Sequence, residues 1–382
     1  MKRYFKKVVF FIVILLSISL LISCGASKNN GKENNTKENV SENEKNEENT
    51  EKAVEEEEVD EDQEAAKAME DFKNGIPFEP EGLPGDIKVG GNNLKISFLK
   101  LDDPIMCDTF ECPGIGYHDG KVYTMAKTKI YAFNFDGSTL KPDTTFGKDG
   151  VLETNEEGKY FSVSPDGILY VTDAFGDYHA YDKTGADINS GSADNAFVIG
   201  KDNQGGTFFM KDMPKIVTAD ANGGITESPF LEMDLESGNF PFKTIEFVFV
   251  EGDKVYIAGT RPDPNNAEES FYSVGVFQKD GTQIFLFENG SGVGKCCNIG
   301  GYYPIKDGSM IMDSNCRNLL FLDHQGNLIR ELKVSDGTGM DYPWPSGLAN
   351  GTDGKMFFVA TQEREDKSGT ECLIYLLDGI GY

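Results

Sequence analysis

Six times along the chain a polar turn ending in glycine leads into a short run rich in Tyr, Phe, Val and Met. The copies are His118-Asp119-Gly120-Lys121-Val122-Tyr123, Pro165-Asp166-Gly167-Ile168-Leu169-Tyr170, Asn203-Gln204-Gly205-Gly206-Thr207-Phe208, Glu251-Gly252-Asp253-Lys254-Val255-Tyr256, Lys306-Asp307-Gly308-Ser309-Met310-Ile311 and Thr352-Asp353-Gly354-Lys355-Met356-Phe357. The turn glycines stand 38 to 56 residues apart. Self-similarity at such a period marks a repeat architecture. Second turns recur at Asp136-Gly137, Thr184-Gly185, Asn222-Gly223, Asp280-Gly281 and Gln325-Gly326, with Asp378-Gly379 closing the series. Asp-Gly and Asn-Gly favour hairpins, because type I′ turns need φ > 0 at both central positions. Each repeat therefore holds two hairpins and about four strands, which is one propeller blade. Six such blades need roughly 280 residues, and Pro84 to Tyr382 supplies 299. The reading is an all-β chain with a six-bladed β-propeller over 84–382. Two β domains in tandem are the alternative.

A propeller must close. Upstream of the first full turn, Leu94, Ile96 and Phe98 alternate as a strand should. This early strand is expected to complete the blade made by residues 348–378, removing an exposed sheet edge.

The N-terminus belongs to no blade. Lys2, Arg3, Lys6 and Lys7 precede a largely apolar run from Val8 to Ile22. Fifteen residues are short for a span of about 20, so residues 1–23 read as a targeting segment. The run ends in Leu21-Ile22-Ser23-Cys24-Gly25, which resembles the lipobox of bacterial lipoproteins. That resemblance implies cleavage before Cys24 and lipidation (palmitate) of Cys24. An uncleaved N-terminal anchor is the alternative, and both readings put the remainder on the extracytoplasmic side of a cell membrane or outer membrane.

Residues 24–80 read as a tether. Between 25 and 75 there are 17 acidic and 7 basic residues, with almost no apolar side chain before Val54. Such a segment cannot bury enough surface to offset its ordering entropy, so an acidic, disordered spacer is expected. The whole chain of 382 residues carries a formal charge of -28. Nucleic acid is excluded as the main partner, because counterion release needs clustered Lys and Arg.

Within the repeats, Pro113-Gly114-Ile115-Gly116 and Pro345-Ser346-Gly347-Leu348-Ala349 resemble the first strand of NHL-type six-bladed propellers. Asp166-Gly167-Ile168-Leu169-Tyr170-Val171-Thr172-Asp173, with Tyr181-Asp182 and Gly185 downstream, is similar to the centre of that repeat. The resemblance spans about residues 95–382 and implies the fold. It implies no activity, since this fold hosts many functions.

Six cysteines besides Cys24 remain: Cys107, Cys112, Cys296, Cys297, Cys316 and Cys372. An even number in an exported chain points to disulfides, and six allow fifteen pairings. Cys107 with Cys112 is the most local pairing. All six map to the loop face opposite the Asp-Gly turns, where they would staple long loops. Adjacent Cys296-Cys297 and the segment Thr145-Phe146-Gly147-Lys148-Asp149-Gly150 resemble features of quinoprotein dehydrogenases. Those have eight tryptophan-rich blades, whereas this chain has Trp344 alone.

Catalytic signals are sparse. His118 and His324 fall in predicted turns and His179 in a strand, each read as a surface or structural histidine. Asp173, Asp212 and Asp313 end the second strand of three blades and are candidate ligands for a divalent cation at the channel mouth. Capping of the strand-end turns is the plainer role. No other cofactor is implied. Trp344, between Pro343 and Pro345, and nearby Tyr342 are candidate aromatic anchors for a partner. The favoured reading is a lipid-anchored binding module that presents loops 260–270, 288–302, 336–347 and 361–370 to a protein or carbohydrate partner. A metal-dependent hydrolase or lyase with an acidic channel mouth is the alternative.

Overall fold

The computed structural model describes residues 78, 80 and 82–381, apart from 108–113, 155–157, 165, 174–176, 193–197, 202–206, 212–214, 220–221, 223, 230–240, 264–265, 288–298, 315, 341–342 and 364–368. For 159, 198–201, 207–211, 215–219, 225–229 and 266–269 it describes the backbone only. The predicted signal segment, Cys24 and nearly all of the tether lie outside the described residues.

The fold is a β-propeller. Three strands come first: β1 (Ile87–Val89), β2 (Asn92–Phe98) and β3 (Ile105–Cys107). Blade 1 is β4 (Gly114–His118), β5 (Lys121–Ala126), β6 (Lys129–Phe135) and β7 (Leu140–Pro142), with β8 (Val151–Glu153) as a second partner of β6. Blade 2 is β9 (Gly158–Val163), β10 (Leu169–Asp173), β11 (Asp177–Tyr181) and β12 (Asp187–Ser192). Blade 3 is β13 (Val198–Lys201), β14 (Thr207–Lys211), β15 (Lys215–Ala219) and β16 (Ile225–Pro229). Blade 4 is β17 (Thr244–Glu251), β18 (Lys254–Asp263), β19 (Asn266–Gln278) and β20 (Gln283–Leu286). Blade 5 is β21 (Ile299–Ile305), β22 (Gly308–Asp313), β23 (Asn318–Leu322) and β24 (Leu328–Lys333), followed by a one-turn helix α1 (Val334–Thr338). Blade 6 holds β25 (Trp344–Asn350), β26 (Lys355–Glu363) and β27 (Thr370–Asp378).

Five hydrogen-bonded sheets contain these six meanders. Blades 3 and 4 form one eight-stranded sheet, because β13 and β17 pair in parallel at Gly200↔Val250 and Lys201↔Glu251. The innermost strands then pack in a ring, β4 on β9, β9 on β13, β13 on β17, β17 on β21, β21 on β25, and β25 back on β4. A sheet count of five and a meander count of six describe the same propeller.

Closure follows the expected route. β2 lies on β27 with Lys95↔Asp378, Ile96↔Leu377, Ser97↔Leu376 and Phe98↔Tyr375, supplying the fourth strand of blade 6. β1 extends that sheet outward, and β3 pairs the other end of β27 at Thr370↔Cys107 and Cys372↔Ile105.

The core lies between blades, as alternating side chains in a stack of twisted sheets require. Alternate residues of β26 and β27 divide between two clusters. Met356, Phe358, Ala360, Leu373, Tyr375 and Leu377 face blade 5. Phe357, Val359, Cys372, Ile374 and Leu376 face blade 1. Phe78 and Leu83, just upstream of the expected propeller edge at 84, also pack on the first of these clusters. Near the axis the backbones approach closely. A Cβ on Gly347 would stand 3.0 Å from the Gly114 Cα, and one on Gly114 would stand 2.6 Å from the Phe161 carbonyl oxygen.

Candidate functional site

Turns after the first and third strands of the blades share one face, here the turn face. Four of them use one device. Gly167, Gly185, Gly281 and Gly326 donate their N–H to the carbonyls of Ser164, Asp182, Gln278 and Asp323, all at 2.9–3.0 Å. Each of these glycines has φ between 81° and 90°. This is the three-residue hairpin with a glycine bulge. Side chains cap these loops locally. Asp182 Oδ1 accepts from Thr184 N–H at 2.8 Å, the Thr184 hydroxyl at 2.7 Å and Ala186 N–H at 3.0 Å. Asp323 Oδ1 accepts from Gln325 N–H at 2.9 Å and Asn327 N–H at 2.8 Å. Partial burial raises both carboxyl pKa values, but these donors outweigh it and hold both below the ordinary aspartate value. His324 sits in one such turn, exposed.

The opposite face is built of unequal hairpins. In blade 5, Asp313 pairs with Asn318, so the chain turns back within residues 314–317. In blade 4, Thr244 of β17 stops opposite Thr260, whereas β18 runs on to Asp263 and β19 begins at Asn266. In blade 6, Trp344 of β25 pairs with Thr361, whereas β26 runs on to Glu363. At about 3.3 Å per residue, the neighbouring hairpins rise roughly 10 and 7 Å above their inner strands. Among the described residues, the central hairpin of blade 5 is therefore a lower step than those of blades 4 and 6. Parts of the expected binding loops are strand: 260–263, 266–270, 299–302, 344–347, 361–363 and 370. The sequence predicts loops at these positions, but β18 keeps pairing with β19 to Asp263 and β26 with β27 to Glu363, so strand continues beyond the inner strands.

On the step stand Arg317 and Trp344. The Arg317 guanidinium lies over the indole ring at 4.7 Å from its centroid. Both residues are half-buried. Arg317 has φ 58°, an uncommon backbone for a long side chain, and its carbonyl accepts from Val334 N–H at 2.9 Å. Trp344 opens β25, its carbonyl accepting the Ser346 hydroxyl at 3.3 Å. The blade 4 ribbon carries a second pair, Arg261 over Phe271 at 5.8 Å. Tyr342 lies outside the described residues.

The predicted carboxylates cap turns on this face. Asp173 is buried and accepts Asp177 N–H at 2.9 Å. Asp313, 1 % exposed, accepts Cys316 N–H at 3.0 Å. Asp212 lies outside the described residues. Among the described residues no three His, Cys, Asp or Glu side chains gather as a metal site. His179 pairs with Asp187 at 3.2 Å, and the His118 ring packs over Gly167.

Three cysteines can be placed, all on this face. Cys372, opposite Thr361, is disulfide-bonded. Cys107, opposite Thr370, donates its thiol to the Thr370 carbonyl at 3.7 Å. Cys316 immediately precedes Arg317 and is exposed. Cys112, Cys296 and Cys297 lie outside the described residues.

The segment around Thr145–Gly150 is an architectural insertion in blade 1. Phe146 is fully buried and meets Tyr123 edge-on at 5.8 Å. Gly147 has φ 52° and donates to the Thr184 carbonyl of blade 2 at 3.0 Å.

Arg317 escaped the reading of the sequence. A signal was available, since the chain has only five arginines, at 3, 261, 317, 330 and 364. Of the four beyond the signal segment, Arg261 and Arg317 fall in the middle hairpins of blades 4 and 5.

No protein-family model and no curated protein sequence matches this chain. Among solved structures, it is similar to the crystal structure of BamB from Moraxella catarrhalis. The TM-score is 0.42 and the identity 11%, over 77% of this chain and 99% of that one.

Proposed function

We propose that the chain is a lipid-anchored, extracytoplasmic binding module of bacterial lipoprotein type, in which an NHL-like propeller presents its loop face to a protein partner. The observation that carries this reading is the asymmetry of the two faces. One carries short turns, four of them built on the same glycine device, whereas the other has hairpins of unequal reach and carries a half-buried aromatic ring under a guanidinium. Rigid aromatic and arginine side chains at the centre of a recessed patch are the usual anchors of protein interfaces. Cys24 would hold the lipid, and the acidic tether would hold the propeller off the membrane. The disulfide at Cys372 would staple the loops among which the partner docks, whereas Cys107 and Cys316, which the sequence expects to be paired, stand as thiols in the structure.

Photo-crosslinking tests the reading. A crosslinker at Ser346 or Asn318 should trap a partner in intact cells, and one at Gln325 or Lys279 on the turn face should not. Equal trapping from both faces would defeat it. Cys24→Ala should leave an uncleaved, unlipidated precursor, and lipid incorporation by that variant would refute the anchor.

A further inference from the structure

We infer that residues 61–73 of this chain form an amphipathic helix that docks at the rim of the propeller, in the groove between the outer strands of blades 5 and 6, with its acids on Arg330 and Lys333. The docking would hold whichever face of the propeller meets a partner.

The groove lies beside β24, the outermost strand of blade 5, and encloses about 420 Å³. Pro84, Ile87 and Leu332 supply its apolar lining, and Arg330 and Lys333 line it with positive charge. Arg330 Nη1 donates to the Lys88 carbonyl of β1 at 3.2 Å, which leaves the other donors of the guanidinium to a ligand. Both cations are exposed, and among the described residues neither forms an ion pair. Of the two acids that line the groove, Glu331 already accepts the Asn318 amide at 2.6 Å, and Asp336 stands in the first turn of α1. In a chain of formal charge -28, two unpaired cations beside one apolar groove are an exception that favours an acidic ligand. A groove of this size takes a few side chains and not a folded partner.

Such a ligand stands next in the chain. Phe78, the first described residue, packs on the same cluster as Ile87 and Leu332, so the chain upstream of it begins beside the groove. The sequence there carries helix signals at both ends. Asp60 with Gln63 three residues on makes a capping box, and Gly75 followed by Pro77 makes a stop. Between them Ala65, Ala68, Met69 and Phe72 fall at i, i+3, i+4 and i+7, one apolar stripe. Glu64 and Asp71 border that stripe on one side, about 10 Å apart along a helix. Arg330 and Lys333 stand about 10 Å apart along their strand. A helix this short is marginal in water without a surface to pack on. Stripe against apolar lining and acids against cations together name this segment as the occupant. Docked there, it leaves only residues 25–59 as free tether, and the chain departs from the rim, clear of both faces.

The test follows amide hydrogen exchange in the full chain, purified from the cell in detergent. Residues 61–73 should exchange about tenfold or more slowly than residues 35–58, once intrinsic rates are allowed for. M69D/F72D lies outside the propeller and should abolish this protection while the blades keep theirs. R330E/K333E should abolish it as well, and adding E64K/D71K should restore it, because reversing both partners re-forms the pairs. A photo-crosslinker at Met69 should join the peptide containing Leu332 within one chain, at a yield independent of protein concentration. Exchange of 61–73 as fast as that of 35–58 would overturn the inference, and so would crosslinks to another copy or to other strands. Protection that survives R330E/K333E, or that fails to return with the charge swap, would do the same.

Discussion

The turn face and the loop face are made by the same strands, yet they follow different rules. On the turn face, among the described residues, a glycine settles four reversals within four or five residues, and aspartate side chains cap those at Asp182 and Asp323 locally. Contacts between blades there are additions to closed turns, such as Gly147 N–H on the Thr184 carbonyl and the His118 ring over Gly167. On the loop face the reversals borrow partners from elsewhere. Val334 satisfies Arg317, Trp344 lies under a guanidinium from blade 5, and Cys107 donates to Thr370 across most of the chain. Locally closed turns tolerate little change and offer little to a ligand. Long-range contacts allow hairpins of different height, from which a recess can be built. The faces therefore divide stability and recognition between them.

The largest expected effect comes from breaking a turn-face glycine. Gly308 has φ 148°, and a Cβ there would stand 1.9 Å from the Leu322 carbonyl oxygen. Backbone must move, so Gly308→Ala should cost roughly 3–5 kcal/mol in chemical denaturation. A cost under about 1 kcal/mol would mean that the turns are more forgiving than the comparison holds.

Reduction of the Cys372 disulfide should cost less, about 2–4 kcal/mol. It should also act on the other face, lowering the melting temperature while the far-ultraviolet β signal persists below the transition, because blade packing holds the strands. Loss of the β signal on reduction at room temperature would show that the loop face carries the fold as well.

Removing one cap, Asp182→Ala, should cost about 1 kcal/mol, the worth of the hydrogen bonds lost. The same caps predict an acid effect. Asp182 and Asp323 have pKa values lowered in the folded chain, so the unfolded chain takes up protons first as pH falls. Their contribution is complete above the ordinary aspartate value near 3.8 and is lost as pH drops through the lower folded values. A melting temperature that stays level between pH 5 and pH 3, on a scale set by ordinary carboxyl titration, would contradict the capping account.

The smallest stability effect belongs to the recess. Arg317→Ala should cost about 0.5–1 kcal/mol, the worth of a half-buried cation–π contact. Its effect on partner crosslinking should be large by comparison.

Much of this fold was legible because the turn face repeats. Gly120, Gly252 and Gly354 marked the strand boundaries, and the strands from Lys121, Lys254 and Lys355 begin where those turns predicted. The closing strand was legible from the alternation of Leu94, Ile96 and Phe98. The loop face was not, for a physical reason. The reach of β18 to Asp263 depends on β19 pairing with it, and the stacking of Arg317 on Trp344 depends on two blades meeting. Neither relation leaves a periodic trace in one chain. Asp173 and Asp313 were placed correctly at strand ends, but residue type alone could not tell a cap from a ligand.

The pairing of β2 with β27 has a further consequence, in time. Ile96 is among the first residues of the propeller to be made and Leu377 among the last, yet they are neighbours in the sheet. While the chain emerges, β2 has no sheet to join, and β27 lacks its outer partner until both ends are present. Each inner blade is a local meander that forms early, but the ring waits for its most distant contact, the kind that slows folding most. Until that contact is made, β27 exposes an open edge in a chain otherwise complete. The interval between finishing the last blade and capturing the first strand is when this protein is most open to pairing with another copy of itself.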